Sequence, residues 1–267
     1  MFQLGISTAS LFLRKNTEDA LALLPSLGSE CSEVFMGTLS EYLPQFGDVL
    51  RAKQGEQEVH SIHSLNQNYE PELFNDHPRT RGDAEAVLRM VLGNGQKMGA
   101  KYYTFHGPAR LKRKPYIMNW PVFGPKVAHV AEICAEYGIT LCYENVHWAY
   151  YNYPTFHREM KEYAPGVMTT LDIKQAMQSG VDVYDYIEDM GKDIRTVHVV
   201  DYDKDGKLCL PGKGVFDFRA LFEKLRSIGF EGAVLIEAYY GDYDRVEELA
   251  ESLAYLKEIR ADVYRTA

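Results

Sequence analysis

A chain of 267 residues that is 46% hydrophobic and 25% charged can bury a sizeable core; α/β barrels often occupy this length as one domain, so a single domain over residues 1–267 is expected. The formal net charge of −9 argues against nonspecific attraction to nucleic acid or to membranes. No apolar run approaches the roughly 20 residues that span a bilayer, the opening MFQLGIST lacks the basic and apolar regions of a signal peptide, and Cys31, Cys134, Cys142 and Cys209 are too scattered for metal pairs or a disulfide framework, so a cytoplasmic protein with Cys31 and Cys142 as buried thiols is expected.

Short apolar, β-branched runs alternate with amphipathic segments along the whole chain. Strands are predicted at 3–7, 32–36, 59–63, 102–106, 139–144, 168–171, 196–200 and 233–237. Helices are predicted at 17–27, 44–53, 80–98, 124–137, 154–163, 175–178 with 184–190, 217–227 and 245–260. Asn16 and Asp217 are placed to start helices. Gly99, Gly138 and Gly229 each follow a helix and precede a strand, where glycine accepts the left-handed turn that ends a helix. Eight strand–helix pairs predict an α/β fold, a single-domain (β/α)8 TIM barrel. An open doubly wound sheet is the alternative, and the missing G-x-G-x-x-G after the first strand weakens its dinucleotide-binding form.

Four chemically notable side chains fall at strand ends: Glu144 in TLCYEN, Asp172 in TTLD, His198 in TVHVVD and Glu237 in AVLIEA, separated by 28, 26 and 39 residues. In a closed parallel barrel such ends converge on one rim, where active sites are built. A lone carboxylate there is as readily a salt-bridged rim residue. Three carboxylates and an imidazole at one point repel each other unless a divalent cation lies between them. Oxygen and imidazole donors suit one divalent metal ion: Mn²⁺, Zn²⁺, Co²⁺ or Mg²⁺. His63 and His106 end the third and fourth strands and are expected to face the same cavity, whereas His60 falls on the other sheet face and is expected to be structural.

The loops after these strands suggest a substrate class. Arg110, Lys112, Arg113 and Lys114 form a basic run that would either capture a phosphate or carboxylate or lie solvated. Trp148, Tyr150, Tyr151 and Tyr153, with Trp120, would stack on a sugar ring or form a subunit interface, which keeps a homo-oligomer in view. Gly212 and Gly214 flank Lys213 in a tight turn.

The motifs YENVH, TTLDIKQA, TVHVVD, PGKGVFDF and GAVLIEAYY, supported by SIHS and YTFHGP, run in order across nearly the whole chain. Together they resemble the xylose isomerase-like TIM-barrel superfamily, which covers sugar-phosphate isomerases and epimerases and metal-dependent AP endonucleases. The resemblance implies that Glu144, Asp172, His198 and Glu237 hold one divalent metal. It further implies that Glu144 and Glu237 exchange a proton on opposite faces of a substrate carbon, through an enediolate. His63, His106, Gln175, Trp148 and Lys213 are then candidate substrate-binding residues. Gln175 stands where many members have histidine, so it can hydrogen-bond a hydroxyl but not carry a proton. Asp203, Lys204 and Asp205 occupy the stretch where epimerases tend to place an arginine. In the AP endonuclease branch, His63, His106 and Glu144 would supply a first metal set, but Gln175 and the Pro211–Gly212–Lys213 turn depart from the third.

The expected function is therefore a divalent-metal-dependent isomerase or epimerase acting on a ketose, sugar phosphate or related polyol. The alternatives are a metal-dependent sugar or cyclitol dehydratase, an AP endonuclease-like hydrolase and a non-catalytic sugar-binding barrel. The expected partner is a small sugar or sugar phosphate, with no nucleic acid and no membrane.

Overall fold

A computed structural model describes residues 1–110 and 117–265. In chain order the strands are β1 (Gln3–Ser7), β2 (Cys31–Met36), β3 (Glu58–Ser64), β4 (Tyr102–Phe105), β5 (Thr140–Glu144), β6 (Met168–Asp172), β7 (Ile194–Val199), the short β8 (Asp201–Tyr202) and β9 (Leu208–Cys209), and β10 (Ala233–Ile236). The helices are α1 (Thr17–Leu23), α2 (Leu39–Tyr42), α3 (Pro44–Gln54), α4 (Pro78–Met98), α5 (Trp120–Glu136), α6 (Phe156–Lys161), α7 (Ile173–Ser179), α8 (Val183–Met190), α9 (Phe218–Ser227) and α10 (Glu247–Arg265). Strands β1 to β7 and β10 close into a parallel barrel in which sequence neighbours pair and β10 returns to β1. This is the (β/α)8 TIM barrel that the alternating pattern predicted.

Each predicted strand is present, with ends within two residues of those expected. The helices differ more. The predicted 17–27 helix breaks at Leu23 into a 3-10 turn over Leu24–Leu27, because Pro25 has no N–H to continue the ladder. The predicted 175–178 helix begins earlier, as α7, because the Asp172 carboxylate caps the Gln175 N–H at 2.8 Å. The β8–β9 hairpin is an addition after β7. Among the described residues no helix is long and apolar enough to cross a membrane.

Side-chain alternation along each strand divides the core in two. Leu4, Ile6, Val34, Ile62, Tyr103, Leu141, Val197 and Val234 join the large cluster with the helices. The barrel interior is narrower and more polar. Cys31, Ala233 and Leu235 form a separate buried cluster there. Gly5 faces it, and a Cβ at that position would strike the Cys31 carbonyl. Above them, Thr104 and Thr170 from non-adjacent strands meet at 3.2 Å across the interior.

One buried carboxylate shapes the rim from a loop. Glu70, fully buried, accepts from the Tyr103 hydroxyl at 2.5 Å and from the backbone N–H groups of His106 and Gly107 at 3.0 and 3.1 Å. It thereby ends β4 and sets the direction of His106. Glu70→Ala is predicted to cost about 3 kcal/mol or more, since it strips several buried donors of an acceptor. Urea unfolding measures this; a loss below about 1 kcal/mol would contradict the role assigned to Glu70.

Candidate metal centre

The ends of β5, β6, β7 and β10 bring Glu144, Asp172, His198 and Glu237 together. Each offers a ligand atom, and the four atoms lie within 4.8 Å of one another, all buried. Register explains part of this, because Asp172 and His198 are directly paired across β6 and β7. Glu237 is the residue after β10, its N–H still bonded to the Val199 carbonyl at 3.1 Å. His198 Nδ1 stands 3.3 Å from Glu144 Oε1 and 3.5 Å from Glu237 Oε2.

The sequence-derived neighbours His63 and His106 join this group. Their Nε2 atoms face each other at 3.1 Å, His106 Nε2 lies 3.0 Å from Glu144 Oε2, and His63 Nδ1 lies 3.3 Å from Glu237 Oε1. His63, His106 and Glu144 form a second group able to hold a cation, and Glu33, His63 and Glu237 a third. None of these groups, among the described residues, includes the third set that an AP endonuclease would need around position 175 and residues 211–213.

The donors fit a cation better than they fit each other. Glu144 Oε2 is buried and makes no hydrogen bond, although a ring nitrogen lies 3.0 Å away. His63 Nδ1 is likewise buried without an aligned partner. Atoms that crowd at such distances without hydrogen-bond alignment converge on shared space. Their oxygen and imidazole character matches a hard or borderline divalent ion.

The local charge is set by this crowding. Burial pushes Asp172 up to about 7, with the Glu144 and Glu237 carboxylates adding to the shift and Lys174 opposing it. Burial also works against ionised Glu237, but His198, Lys174 and His63 outweigh it and hold it at about 2. Glu144 is held well below the carboxylate range because His106 and His198 overcome its burial. Burial lowers the imidazoles, yet the surrounding carboxylates raise His63 to about 10, His106 to about 9 and His198 well above its ordinary value. At 3.1 Å the facing His63 and His106 nitrogens cannot both carry a proton, so the pair holds at most one charge. Protons on imidazole thus serve as counter-charge in the absence of a cation.

Two residues that sequence reasoning missed complete the centre. Glu33 on β2 is fully buried beneath it, accepting from Ser7, Ser61 and Thr104 hydroxyls at 3.0, 2.8 and 2.9 Å. Its Oε1 lies 3.0 Å from His198 Nε2, without the alignment of a hydrogen bond. Negative charge there favours a proton on Nε2 and leaves Nδ1 free to bind a metal. Lys174, two residues past Asp172, lies between Asp172 and Glu237. Burial alone would lower it, but those two carboxylates raise it above the usual lysine value. The signals available were a glutamate among inward-facing strand positions and a lysine just after a strand end.

A cavity of about 530 Å³ opens above the centre. His63, His106, Glu144, Lys174, Gln175 and Glu237 line its floor, and Phe12, Leu13, Phe35, Trp148, Tyr239 and Tyr240 its walls. Gln175 turns its carbonyl to His147, accepting from Nδ1 at 2.6 Å and from the backbone at 3.2 Å. Lys213 is not among the lining residues; its side chain is half-exposed with Nζ 3.8 Å from Glu251. Of the aromatic loop, Trp148 reaches the cavity, its ring 5.3 Å from that of His106, while Tyr151 is buried and stacked on Phe156. Trp120 donates to Glu159 at 2.7 Å and packs on Phe156 in the helical layer. Arg110 donates to the His147 carbonyl, whereas Lys112, Arg113 and Lys114 lie outside the described residues. His60 is at the opposite end of β3 but not on the other sheet face as expected: an irregularity in the β2–β3 register at this point turns it inward. There it meets the Arg195 carbonyl and the Thr196 hydroxyl of β7, each at 3.1 Å, and burial lowers it to about 4, as befits a structural imidazole. Asp201 binds the backbone N–H groups of Gly212, Gly214 and Phe216, holding the loop after β9 in place.

The family model of the xylose isomerase-like TIM barrel matches residues 21–259. Among solved structures, a D-tagatose 3-epimerase-like protein is 17% identical and superposes with a TM-score of 0.77 over 99% of both chains. An L-ribulose 3-epimerase is 16% identical, with a TM-score of 0.77 over 100% of this chain and 97% of that one. The 3-keto-D-glucoside 4-epimerase YcjR from E. coli is 17% identical, with a TM-score of 0.74 over 97% of this chain and 100% of that one. At such identities the likeness is one of fold. No curated protein matches the chain.

A cation in this centre must displace protons from Asp172, which titrates at about 7, and from the raised imidazoles. Its affinity should therefore rise with pH through and beyond that value, by about tenfold per pH unit for each proton released. Calorimetric titration of Mn²⁺ at about pH 6 and about pH 8 tests the sign. Equal affinity at the two values would contradict it.

Proposed function

Because the chain belongs to the xylose isomerase-like TIM-barrel family, we propose that it is a divalent-metal-dependent isomerase or epimerase. The proposed substrates are a ketose, a sugar phosphate or a related polyol. The observation that carries this reading is the convergence of four buried ligand atoms within 4.8 Å, on the floor of a cavity with aromatic walls. The names of similar structures support it: several are ketose 3-epimerases, one with D-tagatose bound.

In this reading Glu144, Asp172, His198 and Glu237 hold the ion. When bound, the ion supplies Lewis acidity that polarises a substrate carbonyl and acidifies the neighbouring C–H bond. Glu144 and Glu237 are both ionised at neutral pH and so begin as proton acceptors. One carboxylate removes the proton from one face of the carbon, giving an enediolate. The other first takes a proton from the imidazole beside it, His106 for Glu144 or His63 for Glu237, and delivers it to the opposite face. The proton abstracted by the first carboxylate returns to the imidazole pair, so configuration inverts without net redox change. Phe12, Phe35 and Trp148 exclude water around the reacting carbon. His63 and His106 present ring nitrogens, and Gln175 its amide, to substrate hydroxyls. No such role falls to Lys213.

The test is uptake of solvent deuterium by D-fructose, D-tagatose and L-ribulose, read by mass spectrometry with Mn²⁺-loaded protein. A single deuterium should enter a retained carbon of at least one sugar. Glu144→Gln and Glu237→Gln should each slow this by about 10³-fold or more. Near wild-type turnover by either variant would overturn the two-carboxylate mechanism, and loss of water from the sugar would reassign the chemistry to a dehydratase.

A further inference from the structure

Lys174 belongs to the cavity floor, yet proton transfer between two glutamates leaves it without a task. Its side chain is only 2% exposed. Nζ lies 3.5 Å from Glu237 Oε2 and 3.7 Å from Asp172 Oδ2, charge contacts rather than short hydrogen bonds. The Tyr239 ring covers another side, its centroid 4.2 Å away. An ammonium carries three donors, and a buried one needs oxygen partners. Lys174 also has the Tyr239 side chain as a hydrogen-bond partner, and it lines the cavity, so its ammonium borders the space a substrate would fill. It is the one lysine or arginine among the described residues that line that cavity.

The two carboxylates beside Lys174 also belong to the four-residue ligand set. An ion and the ammonium would share Asp172 and Glu237 as common counter-charges. With those carboxylates drawn toward the ion, the ammonium donors are left for a substrate oxygen. Gln175 cannot replace this charge, because it is neutral and its carbonyl is already committed to His147.

We propose that Lys174 is a catalytic residue whose ammonium donates a hydrogen bond to the substrate oxygen that gains negative charge as the adjacent C–H bond breaks. This inference rests on the proton-transfer reading of the site. In that step the C–H pair becomes the new C=C bond, the carbonyl π pair moves onto oxygen, and the proton passes to Glu144 or Glu237. Lys174 keeps its protons throughout and supplies preorganised positive charge.

The experiment compares wild type, Lys174→Met and Lys174→Arg. Bound Mn²⁺ per chain is measured by equilibrium dialysis, and kcat and KM by deuterium uptake from the ketose that wild type labels fastest. Lys174→Met should still bind one Mn²⁺, no more weakly than wild type, because a competing positive charge is gone. Its kcat should fall about 10²- to 10³-fold with a smaller change in KM, and Lys174→Arg should recover part of the loss. A Lys174→Met kcat within about threefold of wild type would overturn the proposal. So would loss of activity together with bound Mn²⁺ that excess Mn²⁺ restores, which marks a structural counter-ion. Absence of deuterium uptake by Mn²⁺-loaded wild type would overturn the reading of the site, and this inference with it.

Discussion

Four carboxylates, Glu33, Glu144, Asp172 and Glu237, are buried around a few ångströms of space at one end of the barrel. Two like charges about 4 Å apart repel by about 4 kcal/mol even at an effective dielectric of about 20. The fold tolerates this only because positive charge is built in beside them. His198 takes up a proton, the His63–His106 pair shares one more, and Lys174 stands between two of the acids. The same arrangement that strains the protein electrostatically gives a divalent ion a site with a strong field and few competing hydrogen bonds.

The supports of this centre repeat one device. Glu33 inside the barrel, Glu70 in the loop after β3 and Asp201 after β7 are each buried acids. Each gathers hydroxyl or backbone N–H donors from separate segments. Glu33 fixes the underside of His198 and His63, Glu70 fixes the peptide that carries His106, and Asp201 pins the glycine-rich turn. Polar filling of the interior follows from the same need: Ser7, Ser61 and Thr104 are there to donate to Glu33. A barrel packed with Val and Leu at those positions could not hold a carboxylate beneath the rim.

The strands were legible because burial on the helix-facing side leaves a period-two apolar run, and because Gly99, Gly138 and Gly229 punctuate the returns. The quartet was legible for the same reason: strand ends of a parallel barrel share a rim, so chain position gives spatial position. Glu33 was hidden because it sits in mid-strand, where alternation marks it as inward but not as charged on purpose. Lys174 was hidden because a lysine near a helix start usually reaches solvent. Loop residues followed no such rule. Lys213 lies beside Glu251 outside the cavity, and Tyr151 packs into the core, since loop geometry is decided by tertiary contacts such as the Asp201 hub rather than by local pattern.

The most direct measurement is anomalous diffraction from crystals grown with Mn²⁺, recorded at the manganese edge. A cation-centred site predicts one strong peak about 2.0–2.4 Å from side-chain atoms of Glu144, Asp172, His198 and Glu237. A Mn²⁺-saturated crystal with no peak there, or with the four side chains turned away from one another, would contradict it.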